Sequence, residues 1–206
     1  EFLDLGYQPL ANSFLLKKNL NKKEKKYKLI ICYNKINKLV SIKKTFSSQK
    51  TFNEKYPYLS SMSKTAENSF KKLAAKIKKN YKFNKLLEIG SNDGTFLKNF
   101  DKNKTIGIEP CSNIEKITKK KKFNTISQYW TKKTAEKILK KNGKFDIIYS
   151  ANTITHIKDL EKVFETIKIV LSDKGILIIE DPSLLEFLKK NSYDQFYNEH
   201  IYVFSY

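Results

Sequence analysis

Short continuous apolar runs alternate in this chain with stretches whose apolar positions recur at helical spacing. Leu86-Leu87-Glu88-Ile89, Thr105 to Glu109, Phe145 to Tyr149 and Gly175 to Glu180 have the pattern of strands buried on both faces. Asn124 to Ser127 adds a shorter candidate. Ala66, Phe70, Leu73, Ala74, Ile77 and Tyr81 fall on one helical face with lysines opposite, and Ser63 is placed to cap that helix. Phe96, Leu97 and Phe100 predict a helix after the first strand, and Ile114 with Ile117 predicts a basic one after the second. Ala135, Ile138 and Leu139 line another; Asp159 opens a last one expected to bury Leu160, Val163, Phe164, Ile167 and Leu171. Strands and helices at this rhythm predict an α/β fold with a doubly wound, mostly parallel sheet.

The first 50 or so residues read differently. FLDLGYQPLANSFL mixes a Gly turn, a Pro and short apolar pieces, and Asn19 to Lys28 is a charged loop. Leu29-Ile30-Ile31 and Leu39-Val40, separated by YNKINK, predict a hairpin. The expected division is a small β-rich appendage over residues 1–55 and a sheet domain over 56–206. The chain starts without Met and stops in the aromatic run IYVFSY, so it is expected to be a piece cut at both ends, its sheet domain incomplete at the carboxyl end.

A formal net charge of +20 invites a nucleic-acid reading. Every basic residue is Lys, however, and the lysines are scattered. Nucleic-acid binders lean on Arg for bidentate contacts to phosphate and guanine, so the charge reads as codon bias rather than as a binding stripe. No apolar run approaches the roughly 20 residues that span a bilayer, and no membrane partner is expected. Two cysteines, Cys32 and Cys111, are too few for a disulfide framework and fit a reducing cytoplasm.

The candidate chemistry begins where the first strand breaks into Gly90-Ser91-Asn92-Asp93-Gly94. Glycines there allow a sharp turn and a close backbone approach to a ligand. With Glu88 two positions earlier, Glu-x-Gly-x-x-x-Gly resembles the first motif of class I S-adenosylmethionine (SAM) methyltransferases. Glu109, followed by Pro110, closes the next strand 21 positions after Glu88. A carboxylate placed there can accept hydrogen bonds from both ribose hydroxyls. Asn152, after the fourth strand, is a candidate for the methionine end of SAM, and Gln128 for the neighbourhood of adenine. Ser150-Ala151-Asn152-Thr153 lacks the Asn/Asp-Pro-Pro-Tyr/Phe of methylases acting on base or amide nitrogens.

LDLGYQPLANSFL, YPYLSS, LLEIGSNDGTFL, GIEPCSNI, ANTITHI and YDQFYNEHIYVFS together resemble the sugar C-methyltransferase family, which methylates a carbon of nucleotide-activated 4-keto deoxysugars. The resemblance implies a bacterial deoxysugar-modifying enzyme with SAM as cofactor and a nucleotide-sugar as substrate. It implies that His200 is the general base and that Tyr197, Glu199 and His156 hold the sugar and its enolate oxygen. Tyr56, Tyr58, Ser60 and Ser61, in a segment that Pro57 holds extended, are candidate contacts to a hydroxylated substrate; the alternative is that the rings pack under the first helix. If the terminal segment is helical, Tyr197 and His200 share a face and Glu199 points elsewhere. Family members often carry His at position 198, where this chain has Asn. The family also implies zinc in its amino-terminal domain, but Asn34 and Asn37 stand where a Cys pair is expected, so no metal site is expected here. Alternatives are a SAM methyltransferase acting on another small molecule, such as a hydroxyl, and a non-catalytic basic binding fragment.

Overall fold

Each continuous apolar run becomes a strand. The computed structural model describes residues 1–205; Tyr206 lies outside them. In chain order the elements are β1 (Leu3–Gln8), β2 (Tyr27–Tyr33), β3 (Val40–Ile42), α1 (Ser48–Thr51), α2 (Lys64–Asn80), β4 (Leu86–Ile89), β5 (Thr105–Ile108), α3 (Ser112–Lys120), β6 (Thr125–Ile126), α4 (Lys132–Asn142), β7 (Phe145–Ala151), α5 (Leu160–Val170), β8 (Leu171–Glu180), α6 (Leu184–Lys190) and β9 (Tyr202–Val203). They pack as two units. One comprises residues 1–51, 154–158 and 181–205, the other residues 52–153 and 159–180. The sequence division at residue 55 is close to the first break, but the later segments that pack with residues 1–51 carry no compositional mark.

The second unit holds a five-stranded parallel sheet in the order β6-β5-β4-β7-β8. Chain order reverses between β4 and β7, so their following loops flank the crevice where open α/β sheets bind ligands. Side-chain caps start the helices: Ser63 Oγ accepts from Ala66 N–H (3.2 Å), Thr131 Oγ1 from Thr134 N–H (3.2 Å) and Asp159 Oδ1 from Lys162 N–H (3.1 Å). Phe70, Ala74 and Ile77 of α2 pack against Leu86, Ile147 and Tyr149 of the sheet, with Phe96 and Phe100 in the same cluster. The Phe96 and Tyr149 rings lie 4.0 Å apart between centroids.

Three expectations need correction. No α-helix follows Gly94; Leu97–Asn99 is a single 3-10 turn. Lys98 N–H reaches the Gly94 carbonyl, but Asn99 and Phe100 bond three residues back. The Asn99 side chain takes the Thr95 and Phe96 carbonyls at 3.2 and 2.9 Å, so local bonds replace the helical ladder. Phe96, Leu97 and Phe100 are buried all the same. In α5 the expected core residue Phe164 is 44% exposed, while Val163, Thr166, Ile167 and Val170 are buried. Leu171, expected on that helix, instead begins β8.

In the first unit, β1-β2-β3-β9 form an antiparallel sheet. The predicted hairpin is β2 and β3. Its turn is held by Asn34 Oδ1, which accepts from Ile36 N–H (2.9 Å), and Asn37 Oδ1, which accepts from Leu39 N–H (3.1 Å). Leu29, Ile31, Val40 and Ile42 face Phe187, Phe196, Ile201 and Val203 in one core. Ile201 N–H also donates to the Thr155 carbonyl at 2.9 Å, which places the 154–158 segment in this unit.

Gly90 has φ +77°, and a Cβ built there would lie 2.0 Å from Thr153 Oγ1. Gly90→Ala should therefore cost about 1–3 kcal/mol of stability, read from urea midpoints. Adding Thr153→Ala should recover only part of the steric cost, because the Thr153 Cβ, 2.8 Å away, remains, whereas Thr153→Gly should remove it and leave the backbone part.

Candidate functional site

The glycine corner of the parallel unit is built mostly from backbone bonds. Gly90 and Ser91 N–H both donate to the Ile108 carbonyl, at 2.8 and 2.9 Å. Glu109 then grips two loops: Oε2 accepts from Asn92 N–H (3.0 Å) and Oε1 from Cys111 N–H (2.8 Å). Asn92, at φ 45°, turns its side chain the other way. Its Oδ1 accepts from Ser60 N–H (2.8 Å) and its Nδ2 donates to the Tyr58 carbonyl (3.2 Å). YPYLSS is thus laid against the glycine loop, where Ser61 bonds the Asp93 carboxyl. Thr95 Oγ1 donates to Asp93 Oδ1 at 2.6 Å, and Lys121 Nζ lies 3.5 Å from Oδ2.

The remaining candidates in this unit are more dispersed. The Tyr56 carbonyl accepts from Asn113 Nδ2 (2.8 Å), and its ring packs 5.1 Å from Phe52. The Tyr58 ring is exposed. Gln128 Oε1 accepts from Thr134 Oγ1 at 3.3 Å. Asn152 takes φ 47°, and its N–H donates to the Glu180 carbonyl at 2.7 Å. Pro110 is half-buried beside Glu109.

Three carboxyls meet at this corner of a strongly basic chain, and all three are buried. Burial holds Glu88 well above the ordinary range, and the charges of Glu109 and Asp93 push the same way. Burial also raises Glu109, against the bonds from Cys111 and Asn92. Burial would raise Asp93 too, but bonds from Ser61 and Thr95 and the Lys121 charge bring it below its usual value. Burial pushes the Cys111 thiol up, which leaves it a packing group rather than a nucleophile. Glu88 Oε2 and Ser91 Oγ are buried with no hydrogen-bond partner among the described residues.

The other candidates meet in the antiparallel unit. Tyr197 and His200 come together, though not on a helix: His200 N–H closes a turn onto the Tyr197 carbonyl at 3.0 Å. His200 Nδ1 lies 3.0 Å from the Gln195 carbonyl, which can only accept. Nδ1 therefore carries the ring proton, and Nε2 accepts from Tyr197 O–H at 2.7 Å. His156 stacks obliquely 5.2 Å from His200, and its Nδ1 donates to the Glu199 carbonyl at 2.7 Å. Burial, then the neighbouring His156, lowers His200 to about 3 against a bond from Gln195 that raises it. The imidazole is neutral near pH 7.

Glu199 does point away from that pair. Its carboxylate accepts from Asn12 backbone N–H (3.2 Å) and Asn12 Nδ2 (2.8 Å). Burial raises Glu199, and both Asn12 bonds oppose it. Asn198 is buried with neither end of its amide bonded among the described residues. Asn12 and the Gln195 carbonyl were missed by sequence reasoning. Asn12 lies inside LDLGYQPLANSFL, so the resemblance marked its stretch without assigning it a partner.

The zinc that the resemblance implies does not fit. Asn34 and Asn37 use their side-chain oxygens on backbone N–H groups of the hairpin turn. Among the described residues no three His, Cys, Asp or Glu side chains are grouped to hold a metal.

The buried groups predict opposite pH effects on stability. Glu88 is raised in the folded state, so its contribution is full below 4.5 and lost as pH rises through the raised value. Against Glu88→Gln, the unliganded wild type should weaken over that rise. His200 is depressed, so its contribution is full above 6.5 and lost as pH falls toward about 3. Against His200→Gln, the wild type should weaken over that fall; melts across pH read both.

The methyltransferase domain family matches residues 58–206. The C-methyltransferase NovU of Streptomyces niveus is 29% identical over 122 residues, covering 58% of this chain and 29% of NovU. The chain thus spans less than a third of that curated relative. A proposed O-methyltransferase from Nostoc punctiforme superposes with a TM-score of 0.50 at 16% identity, over 67% of this chain and 46% of that one. A SAM-dependent methyltransferase from Thermotoga maritima gives 0.49 at 21% identity, over 68% and 64%. No described helix is long and apolar enough to cross a membrane. The chain belongs to the methyltransferase domain family and carries the class I SAM-methyltransferase fold.

Proposed function

We propose that the chain is a SAM-dependent C-methyltransferase acting on the carbon next to the ketone of a nucleotide-activated 4-keto deoxysugar. The observation that carries this reading is the Tyr197–His200 pair, with its tautomer set by the Gln195 carbonyl and a second imidazole beside it. The name of NovU, a C-methyltransferase, supports the same chemistry.

SAM supplies an electrophilic methyl group on a sulfonium cation. Glu88, Asp93 and Glu109 fit a cation, and the glycine loop of residues 90–94, with Gly90 and Gly94 at positive φ, fits close backbone approach. Glu109 spends one acceptor site of each oxygen on Asn92 and Cys111. A carboxylate has about four, so the ribose hydroxyls still have partners. Gln128 and Asn152 are assigned to adenine and the methionine end, and Tyr56, Tyr58, Ser60 and Ser61 to the substrate.

Nε2 of His200 takes the proton from the carbon beside the ketone. The C–H electron pair becomes the carbon–carbon double bond, and the carbonyl pair moves to oxygen. Tyr197 turns its O–H from Nε2 to that developing oxygen, which both frees the base and stabilises the enolate. His156 and Glu199 hold the sugar. A base lowered to about 3 is weak alone, but the enolate formed beside it stabilises the imidazolium. With SAM bound, the enolate carbon would form its bond to the methyl carbon as the methyl–sulfur bond breaks. The bonding pair leaves with sulfur as a neutral thioether, and the oxygen pair re-forms the ketone. The abstracted proton stays on His200 until solvent takes it.

In deuterium oxide without SAM, the protein should wash deuterium into the carbon next to the ketone of a thymidine-diphosphate-linked 4-keto deoxysugar. His200→Ala should slow this at least about 100-fold with SAM affinity kept. Methyl transfer to oxygen without any wash-in would replace the reading with O-methylation.

A further inference from the structure

Glu199 is held from the far end of the sequence, 187 positions away. Ser13 N–H closes a turn onto the Leu10 carbonyl at 3.2 Å, and Asn12 sits within that turn. Its backbone and side-chain N–H groups both point at one carboxylate, one to each oxygen, at 3.2 and 2.8 Å. Glu199 is 4% exposed, so a rotamer change would strip both oxygens of partners in a buried place. An amide suits this position because it donates and carries no charge. Asp would set one carboxylate against another, and Ala would leave only the backbone donor. The Glu199 main-chain carbonyl is fixed separately, by His156 Nδ1 at 2.7 Å. Backbone and side chain of Glu199 are therefore each pinned from a different segment of the same unit.

We propose that Asn12 is a positioning residue for the reaction: it holds the Glu199 carboxylate in one rotamer, so that Glu199 can hydrogen-bond a hydroxyl of the bound sugar. The role given to Glu199 rests on the C-methyltransferase reading; the clamp itself does not. The amino-terminal segment is then part of the reaction machinery rather than an appendage to it. Asn12 acts through Glu199 and touches no reacting atom.

The test has two arms. In the first, deuterium wash-in on the thymidine-diphosphate-linked 4-keto deoxysugar is measured for Asn12→Ala and Asn12→Asp, each alone and with Glu199→Gln. Asn12→Ala should slow wash-in about tenfold, as misplacement of a positioned group does, and Asn12→Asp should slow it more. In the Glu199→Gln background Asn12→Ala should add little, and Asn12→Asp should restore thermal stability, because its carboxylate can accept from the Gln amide. Equal slowing by Asn12→Ala in both backgrounds would overturn the proposal, since Asn12 would then act on something else.

The second arm needs no substrate. The Glu199 side-chain carboxyl is followed by carbon-13 NMR against pH, with Glu199→Gln supplying the assignment. The groups that face this carboxyl are the two Asn12 donors; the nearby His156 bonds the Glu199 main-chain carbonyl instead. Removing a donor that lowers Glu199 should move its midpoint upward in Asn12→Ala, with Asn12→Ser, which keeps a short donor, in between. An unmoved midpoint in both variants overturns the proposal. Wild-type protein without wash-in but with the midpoint shift would fail the C-methylation reading and leave the clamp standing.

Discussion

Two backbone N–H groups from two different loops converge on the carboxylate of Glu109, and the ligand corner of the parallel sheet depends on that convergence. One belongs to Asn92 in the loop after β4, the other to Cys111 after β5. Without a shared acceptor both would be polar groups in a largely buried place with nothing to bond. The glycine loop can be tight because the carboxylate draws its middle inward, while the Asn92 side chain ties its outside to Ser60 and Tyr58. Beneath it sits Glu88, buried, with one oxygen unbonded among the described residues and two more acids nearby. The cost of gathering buried acid here is limited because burial favours the neutral form of Glu88, Lys121 lies beside Asp93 and two backbone N–H groups bond Glu109.

The antiparallel unit solves a different problem with backbone carbonyls. The Gln195 carbonyl forces the His200 proton onto Nδ1, and the Glu199 carbonyl does the same to His156. Both rings are thereby given a fixed tautomer by acceptors that cannot change role. Burial keeps His200 neutral, so the basic nitrogen is available across the neutral range. His200 and its phenol partner Tyr197 are three residues apart on one turn, which makes their geometry local and robust.

The strands were legible because β4, β5 and β7 are buried on both faces and therefore run as mostly apolar segments, interrupted within β4 by Glu88 and within β7 by Asp146. β8 was read from Gly175, but it begins at Leu171; Ser172, Asp173 and Lys174 hide its start because a strand with one neighbour tolerates polar residues. The absent helix after Gly94 shows the limit of periodicity. Spacing of Phe96, Leu97 and Phe100 told which residues are buried, while Asn99 decided the backbone through side-chain bonds that no periodicity encodes. The acids and glycines of the corner could be named in advance because they lie within 22 residues of sequence. Asn12 could not, since its partner is 187 positions away and only the fold brings them together.

Calorimetric titration with SAM is the most direct test of the corner itself. Saturable binding at neutral pH is expected, with protons released as Glu88 ionises beside the sulfonium cation, weakened by Glu109→Ala and with the release lost in Glu88→Gln. Absence of saturable binding by the folded wild-type protein, or binding indifferent to both substitutions, would contradict it.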